Sequence, residues 1–196
     1  MTQIRFRPVS AAQLRPIREA RPTLAALTGR RQDRPEDVPG SNFGQAHAVH
    51  VLGLRDLVEG SGISEAPVAI RVMEGRGPEK GAYYDLSPSA DAPELMQVAA
   101  SDNDYGSLLG RGVAAATRWA EGRGRPADVR MLRVPALYTE ALLLRDEAQE
   151  EETAIVIRTL QEGIGLLEPM PLSELLRRLE APARLILANE GGGNIA

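Results

Sequence analysis

Cysteine is absent from the sequence, which excludes disulfide bonds, thiolate catalysis and cysteine metal sites. Lysine occurs once, as Lys80, and arginine supplies all the other basic side chains. Aromatic residues make up only 4% of the chain, so Leu, Val, Ile and Ala must fill the core. No apolar run approaches the roughly 20 residues of a membrane span, and the first residues lack a signal-peptide core. We therefore expect a cytoplasmic protein that contacts no membrane.

The length and composition are those of a folded chain. At 196 residues with 43% hydrophobic residues, the chain suits one domain with a real core. Turn-forming residues and charge divide it further. We expect an arginine-rich arm and linker over residues 1–40, a single α+β domain over 41–188, and a glycine-rich tail over 189–196.

Charge is unevenly distributed along the chain. Residues 1–35 contain eight Arg against Glu19 and Asp33, a balance of +6, and the remainder of the chain carries −10. Such an arm can fold onto its own acidic body, or it can reach a neighbouring subunit or another anionic partner. The residues that we expect to bind a partner are Arg5, Arg7, Arg15, Arg18, Arg30 and Arg31 in the arm, and Asp146, Glu147, Glu150, Glu151 and Glu152 in an acidic connector.

The densest apolar block spans residues 129–160. Residues 153–159 are short and rich in β-branched side chains, which favours a buried strand. Residues 129–145 are interpreted as one long strand, bent or bulged at Pro135, that forms a hairpin with 153–160. A helix that begins at Pro135 is the alternative, since good helix formers follow this proline.

The rest of the sequence indicates a second hairpin and several helices. Residues 67–86 contain two strand-like runs that are joined by glycine- and proline-rich turn residues. Helices are predicted over residues 11–27, 43–59, 93–100, 104–122 and 172–180, with Pro182 as the stop of the last one. The expected fold is α+β, with a mixed or antiparallel sheet built from the two hairpins (67–86 and 129–160) and four or five packed helices.

His47 and His50 are the only histidines. In a helix, a spacing of three residues would place both imidazoles on the same side, where they could bind zinc if carboxylates joined them. The nearest acidic residues along the chain, Asp56 and Glu59, are too far on to complete such a set locally. His47 and His50 are thus weak metal candidates, and the plainer interpretation is that they are ordinary core or surface histidines.

The segment Gly122-Arg123-Gly124-Arg125-Pro126 resembles the core of an AT-hook, a short motif that binds the DNA minor groove. The resemblance covers these five residues only, and it implies that Arg123 and Arg125 would contact DNA. Acidic flanks and the negative net charge of the chain argue against nucleic-acid binding, which depends on phosphate neutralisation. A glycine that ends a helix before a turn is the competing interpretation.

No catalytic motif is present, so the preferred expectation is a non-enzymatic protein-protein interaction or assembly component without a cofactor. Its partner would be another protein or a second copy of the chain. One alternative is a small hydrolase or metal-dependent enzyme that combines His47 or His50 with carboxylates such as Asp85, Asp102 or Asp104. The other is a nucleic-acid-binding accessory protein that uses the arginine-rich arm with Arg123 and Arg125.

Overall fold

The computed structural model describes residues 4–27, 45–75, 81–101, 105–146 and 152–191. The strands are β1 (Ile4–Arg5), β2 (Gln45–Val51), β3 (Ala69–Gly75), β4 (Gly81–Leu86), β5 (Leu95–Ser101), β6 (Ala127–Val134), β7 (Thr139–Asp146), β8 (Thr153–Arg158) and β9 (Pro169–Pro171). The α-helices are α1 (Ala11–Leu27), α2 (Leu54–Glu59), α3 (Tyr105–Arg123) and α4 (Leu172–Gly191). This part of the chain is therefore α+β. None of its helices has the length and apolar character needed to cross a membrane.

The chain divides into two compact units that each combine distant segments. The first comprises Met1–Arg5, Val49–Pro67 and Leu108–Ala196, and the second comprises Phe6–Ala48 and Val68–Ser107. The boundary predicted at residue 40 falls outside the described residues. Ile4 and Ile17, which belong to the predicted arm, are both buried, so the described part of that arm packs within the units.

In the first unit, β6, β7, β8 and β9 pair antiparallel in that order, while β1 pairs with β6 in parallel. Strand pairing is thus mixed, as expected. The prediction of one long strand over 129–145 is wrong, because Pro135–Leu137 forms a 3-10 turn between β6 and β7. Proline has no N–H for a strand ladder, and the left-handed Tyr138 that follows reverses the chain. The alternative of a helix from Pro135 is wrong for the same reason.

The strands β7 and β8 of the first unit are covered on both faces. Ala141 and Leu143 of β7 belong to a core that also contains Leu175 and Leu179 of α4. On the opposite face, α3 approaches β7 and β8 at Gly112, where an added Cβ would lie 2.4 Å from a methyl group of Ile157. Strands that are buried on both faces have continuous rather than alternating apolar sequences.

The helix α4 continues past the expected stop at Pro182 and ends at Gly191. Ala183, the next residue, is completely buried in the same core as Leu179, and Ile186 packs against that core. Proline removes one helical hydrogen bond at a cost of about 3 kcal/mol. Burial of the apolar residues on both sides of Pro182 offsets that cost.

In the second unit, α1 covers one face of the strands. The Ser10 hydroxyl accepts the Gln13 amide N–H at 3.2 Å, and the Gln13 side chain accepts the Ser10 amide N–H at 2.9 Å. This reciprocal capping begins the helix. Ile17 of α1 is fully buried in a core with Val72 of β3 and Tyr84 of β4. The hairpin predicted over 67–86 is present as the antiparallel pair β3 and β4.

Two predicted helices are strands in the structure. Residues 43–59 were expected to form one helix, but β2 occupies its first part and α2 its end. Consecutive β2 residues are buried, as in the pairs Ala46–His47 and Val49–His50, and such a pattern resembles a buried helix. Residues 93–100 contain β5, which pairs with β4. Cross-strand pairing here outweighs local helix propensity.

Candidate functional site

The hairpin of β3 and β4 buries a complete ion pair in the second unit. Its register places Arg71 directly opposite Asp85, so both side chains project from one face. The guanidinium donates to both carboxylate oxygens, from Nε to Oδ1 at 2.7 Å and from Nη2 to Oδ2 at 2.8 Å. The Arg71 side chain has 0% exposure and that of Asp85 has 5%. Charge-assisted bonds thus fix the pair away from water.

Two tyrosines complete the surroundings of this guanidinium. The Tyr83 ring lies beneath it, with 3.9 Å between the Arg71 Cζ atom and the ring centroid. The hydroxyl of Tyr105, the first residue of α3, accepts a hydrogen bond from Arg71 Nη1. A buried charge is costly unless it is paired and hydrogen-bonded, and these contacts meet both requirements.

A second polar group lies on the opposite face of β3. Glu74 is buried, and its carboxylate accepts a hydrogen bond from the Tyr84 hydroxyl at 2.7 Å. The Arg21 guanidinium of α1 donates to the other carboxylate oxygen, also at 2.7 Å. Helix α1 therefore contacts the hairpin through an ion pair as well as through its apolar face.

His47 of β2 is a buried histidine in the same unit. Its side chain is completely buried, and neither ring nitrogen has a hydrogen-bond partner among the described residues. The Phe6 ring meets the imidazole edge-on, with 5.3 Å between the ring centroids. Burial and, secondly, the positive charge of Arg71 lower the pKa of His47 from 6.5 to about 4. His47 is consequently neutral at pH 7.

His50 has a different environment in the first unit. Its Nδ1 atom lies 2.8 Å from the Ser64 carbonyl oxygen, which only accepts hydrogen bonds, so Nδ1 carries the proton. Burial is the main cause that lowers the pKa of His50, while the bond to Ser64 opposes it. Because β2 is a strand, residues three apart project from opposite faces. The prediction that His47 and His50 share one side is therefore wrong.

Of the carboxylates proposed for an enzymatic site, Asp85 alone lies within the described residues. Asp85 is engaged by Arg71 through both of its oxygens. Asp102 and Asp104 lie outside the described residues. Within the described ranges, no group of three or more His, Asp and Glu side chains is placed to hold a metal ion.

The arginines expected to bind a partner have different positions. Arg5 forms an exposed ion pair with Asp128 of β6, with 2.8 Å between Nε and Oδ1. Arg7, Arg15 and Arg18 are exposed in the second unit. The remaining predicted members of the two charged segments lie outside the described residues: Arg30, Arg31, Glu147, Glu150 and Glu151.

The described ends of the acidic connector also contact the chain itself. Asp146 closes β7 and is buried. Glu152 accepts two hydrogen bonds from Arg130 of β6, one of them from Nε at 2.9 Å. Both residues are thus parts of the first unit, and their predicted role in binding a partner stays a prediction.

The AT-hook-like segment follows the end of α3. Gly124 has a left-handed φ of 66°, and its N–H donates to the Glu121 carbonyl at 3.1 Å. This geometry is a glycine helix ending. The Arg123 guanidinium lies 4.6 Å from the centroid of the Trp119 ring on the same helix, whereas Arg125 is exposed.

The turn before β7 and the segment after β8 run side by side in the first unit. The hydroxyls of Thr139 and Thr159 are 2.8 Å apart. The Gln161 amide group also donates to the Leu137 carbonyl oxygen at 3.3 Å. The residues at the centre of these two segments therefore lie on adjoining stretches of the chain.

Those central residues are Tyr138 and Leu160, which are both exposed. Tyr138 is 60% exposed and Leu160 is 70% exposed. Tyr138 also has a left-handed backbone conformation, with φ 50° and ψ 33°. We call these two residues the Tyr138 surface.

The sequence reasoning missed Arg71, its tyrosine neighbours and the Tyr138 surface. A charged residue within the apolar run of β3 was a signal for Arg71, since an arginine in a buried strand needs a counter-charge. The predicted hairpin would have offered Asp85 as that partner. For Tyr138, the sequence carries no signal, because an aromatic residue has no intrinsic preference for the left-handed region.

Comparisons with protein-family models, with curated proteins and with solved structures found no match to this chain.

Proposed function

We propose that the protein is a non-enzymatic interaction or assembly component that binds another protein or a second copy of itself. The observation that carries this proposal is the Tyr138 surface. It combines an exposed aromatic ring, a left-handed backbone and a neighbouring exposed leucine.

The backbone conformation at Tyr138 has a free-energy cost. For a non-glycine residue, the left-handed region costs about 1–2 kcal/mol of conformational free energy. The cost would be smaller for glycine or asparagine. The neighbours of Tyr138 hold it there, because Leu137 and Thr139 are buried. Backbone strain of this kind is concentrated at binding and switch sites, which supports a binding role for this residue.

The side chains of the Tyr138 surface suit a protein partner. Tyrosine is enriched in the centres of protein interfaces, where its ring contributes apolar area and its hydroxyl a hydrogen bond. Leu160 lies on the adjoining segment, is also exposed, and adds apolar area. Removing both from water on association would contribute roughly 25 cal/mol for each Å² of apolar surface buried.

The charged arm provides a second part of the proposal. Arg7 and Arg18 are exposed, so their guanidinium groups are available to an anionic partner. The acidic connector of a second copy, which includes Glu150 and Glu151, has the matching charge. We propose that such contacts orient the partner and increase the rate of association more than its strength.

The decisive experiment compares variants of equally exposed apolar residues. Tyr138→Asn and Leu160→Ser should weaken association, whereas Leu185→Ser should not. Leu185 is a matched control, since it is 68% exposed and lies on α4. Sedimentation velocity over a range of concentrations measures self-association, and quantitative affinity capture compares the same co-purifying partner among the variants. If all three variants associated as strongly as the wild type does, the proposed role of the Tyr138 surface would be overturned.

The charged arm is tested by substitution rather than by deletion. Removal of residues 1–35 would remove Ile17, which is fully buried in the core of the second unit. Replacing exposed Arg7 and Arg18 by Glu leaves that core intact. The double variant should associate more slowly, and the difference from the wild type should shrink as salt screens the charges. Identical rates at low salt would contradict the role of the arm.

A further inference from the structure

The segment that precedes α1 contacts β2 within the second unit. The Arg7 N–H donates to the Ala46 carbonyl at 3.2 Å and forms an isolated antiparallel bridge. One residue earlier, the Phe6 ring lies edge-on to the ring of His47, with an interplanar angle of 90°. An isolated bridge has no adjoining ladder, so opening it needs far less free energy than unfolding the unit.

The surroundings of His47 suit only the neutral imidazole. From β3, Arg71 presents a positive charge that opposes protonation. Asp85 of β4 is the counter-charge of Arg71 and is held by it through both oxygens. Phe6, which contacts the imidazole from the N-terminal segment, is uncharged. An imidazolium formed here would be buried beside a like charge, which is strongly unfavourable.

We propose that protonation of His47 releases the segment around Phe6 and Arg7 from β2, which makes this contact an acid-sensitive device. Movement of Phe6 away from the imidazole gives the charged ring access to water. The β3–β4 ladder does not include Phe6 or Arg7, so the hairpin keeps its pairing on release. The release does not depend on the Tyr138 surface.

The size of the effect follows from linkage. The buried His47 has a pKa of about 4, and access to water would raise the pKa of the released imidazole towards its ordinary 6.5, while Arg71 still opposes protonation. Protons then bind more readily to the released form at every pH between these values. The equilibrium constant for opening should therefore rise between pH 7.5 and pH 5, by up to about 30-fold.

Hydrogen exchange measured by NMR tests this device in the full chain. The exchange rate of the Arg7 amide is divided by the rate expected for an unstructured chain at each pH, which removes the intrinsic pH dependence of exchange. In the wild type, the resulting protection should fall between pH 7.5 and pH 5, by up to about 30-fold. The amides of the β3–β4 hairpin should keep their protection over the same range.

Two substitutions test whether His47 causes the loss of Arg7 protection in acid. His47→Leu removes the titratable group and keeps an apolar side chain, and His47→Gln provides an uncharged polar side chain in case the first variant folds poorly. Neither variant should lose Arg7 protection on acidification. An equal fall in both variants would overturn the proposal, as would a parallel loss of protection in the hairpin of the wild type, which would indicate unfolding of the whole unit.

Discussion

Arg71 and Asp85 face each other across β3 and β4 and form a bidentate ion pair with almost no exposure to water. The two partners are not equivalent. A carboxyl that loses its counter-charge can take up a proton and become neutral, whereas a guanidinium stays charged at any pH that proteins tolerate. The hairpin therefore depends more strongly on Asp85 than on Arg71.

We expect Asp85→Asn to lower the free energy of unfolding by about 3–5 kcal/mol, because it leaves an uncompensated charge buried on Arg71. Arg71→Met should cost less, and the double variant Arg71→Met with Asp85→Leu should recover most of the loss. Urea unfolding followed by circular dichroism measures each value. Arg5→Met serves as the control: its pair with Asp128 is exposed, so it should cost less than about 1 kcal/mol. Equal costs for the buried and the exposed pair would contradict this prediction.

Gly112 of α3 should not tolerate a side chain. An added Cβ would lie 2.4 Å from Ile157 Cγ2 and 3.3 Å from Leu142 Cδ1, so Gly112→Ala should lower the free energy of unfolding by about 1–3 kcal/mol through overpacking. Gly110 lies on the same helix with nothing within 4 Å of its added Cβ. Gly110→Ala should instead stabilise the protein by up to about 1 kcal/mol, because alanine is the better helix former. Thermal unfolding of both variants tests the contrast, and a loss of stability in both would refute it.

Stability should fall in acid because of His47. The unfolded chain binds a proton at this residue below pH 6.5, while the folded protein does not until about pH 4. The contribution is therefore fully present above pH 6.5 and is lost as the pH falls towards 4, by about 3 kcal/mol in total. Urea unfolding of the wild type and of His47→Gln at several pH values measures this contribution. The effects of the other titrating groups cancel in the difference between the two free energies of unfolding. A difference that stays constant from pH 7 to pH 4 would show that His47 is not the cause.

Tyr138→Asn should leave the fold as stable as the wild type or raise its free energy of unfolding by up to about 1 kcal/mol. Asparagine tolerates the left-handed region better than tyrosine, and the Tyr138 side chain is 60% exposed, so little burial is lost. The same variant is expected to associate less well. Thermal unfolding beside sedimentation velocity separates the two effects. A large loss of stability would mean that the ring is held by contacts within the chain.

Several elements could be predicted from residue pattern alone. Ser10 as a helix cap predicts α1, and residues 104–122, which have apolar residues at helical spacing, coincide closely with α3. The β-branched run over 153–159 forms β8. In each case, the signal was local: a capping residue, a helical period, or side chains that suit a strand.

Other elements depended on partners that are distant in sequence. Residues 93–100 contain ordinary helix formers but pair with β4 as a strand. Pro182 was expected to end a helix, yet burial of Ala183 carries α4 onward. Local propensity amounts to a few tenths of a kcal/mol per residue, and burial or strand pairing readily exceeds it.

The sequence by itself determined the α+β character, the hairpin over 67–86, the lack of cysteine chemistry and the uneven distribution of charge. The tertiary structure decided which groups meet: Arg71 with Asp85, His47 with Phe6, and Thr139 with Thr159. It also placed His47 and His50 on a strand, where they cannot act as one pair. The reason is physical, since the energy of a charge or an imidazole depends on its burial and its neighbours, and these are brought together only by folding.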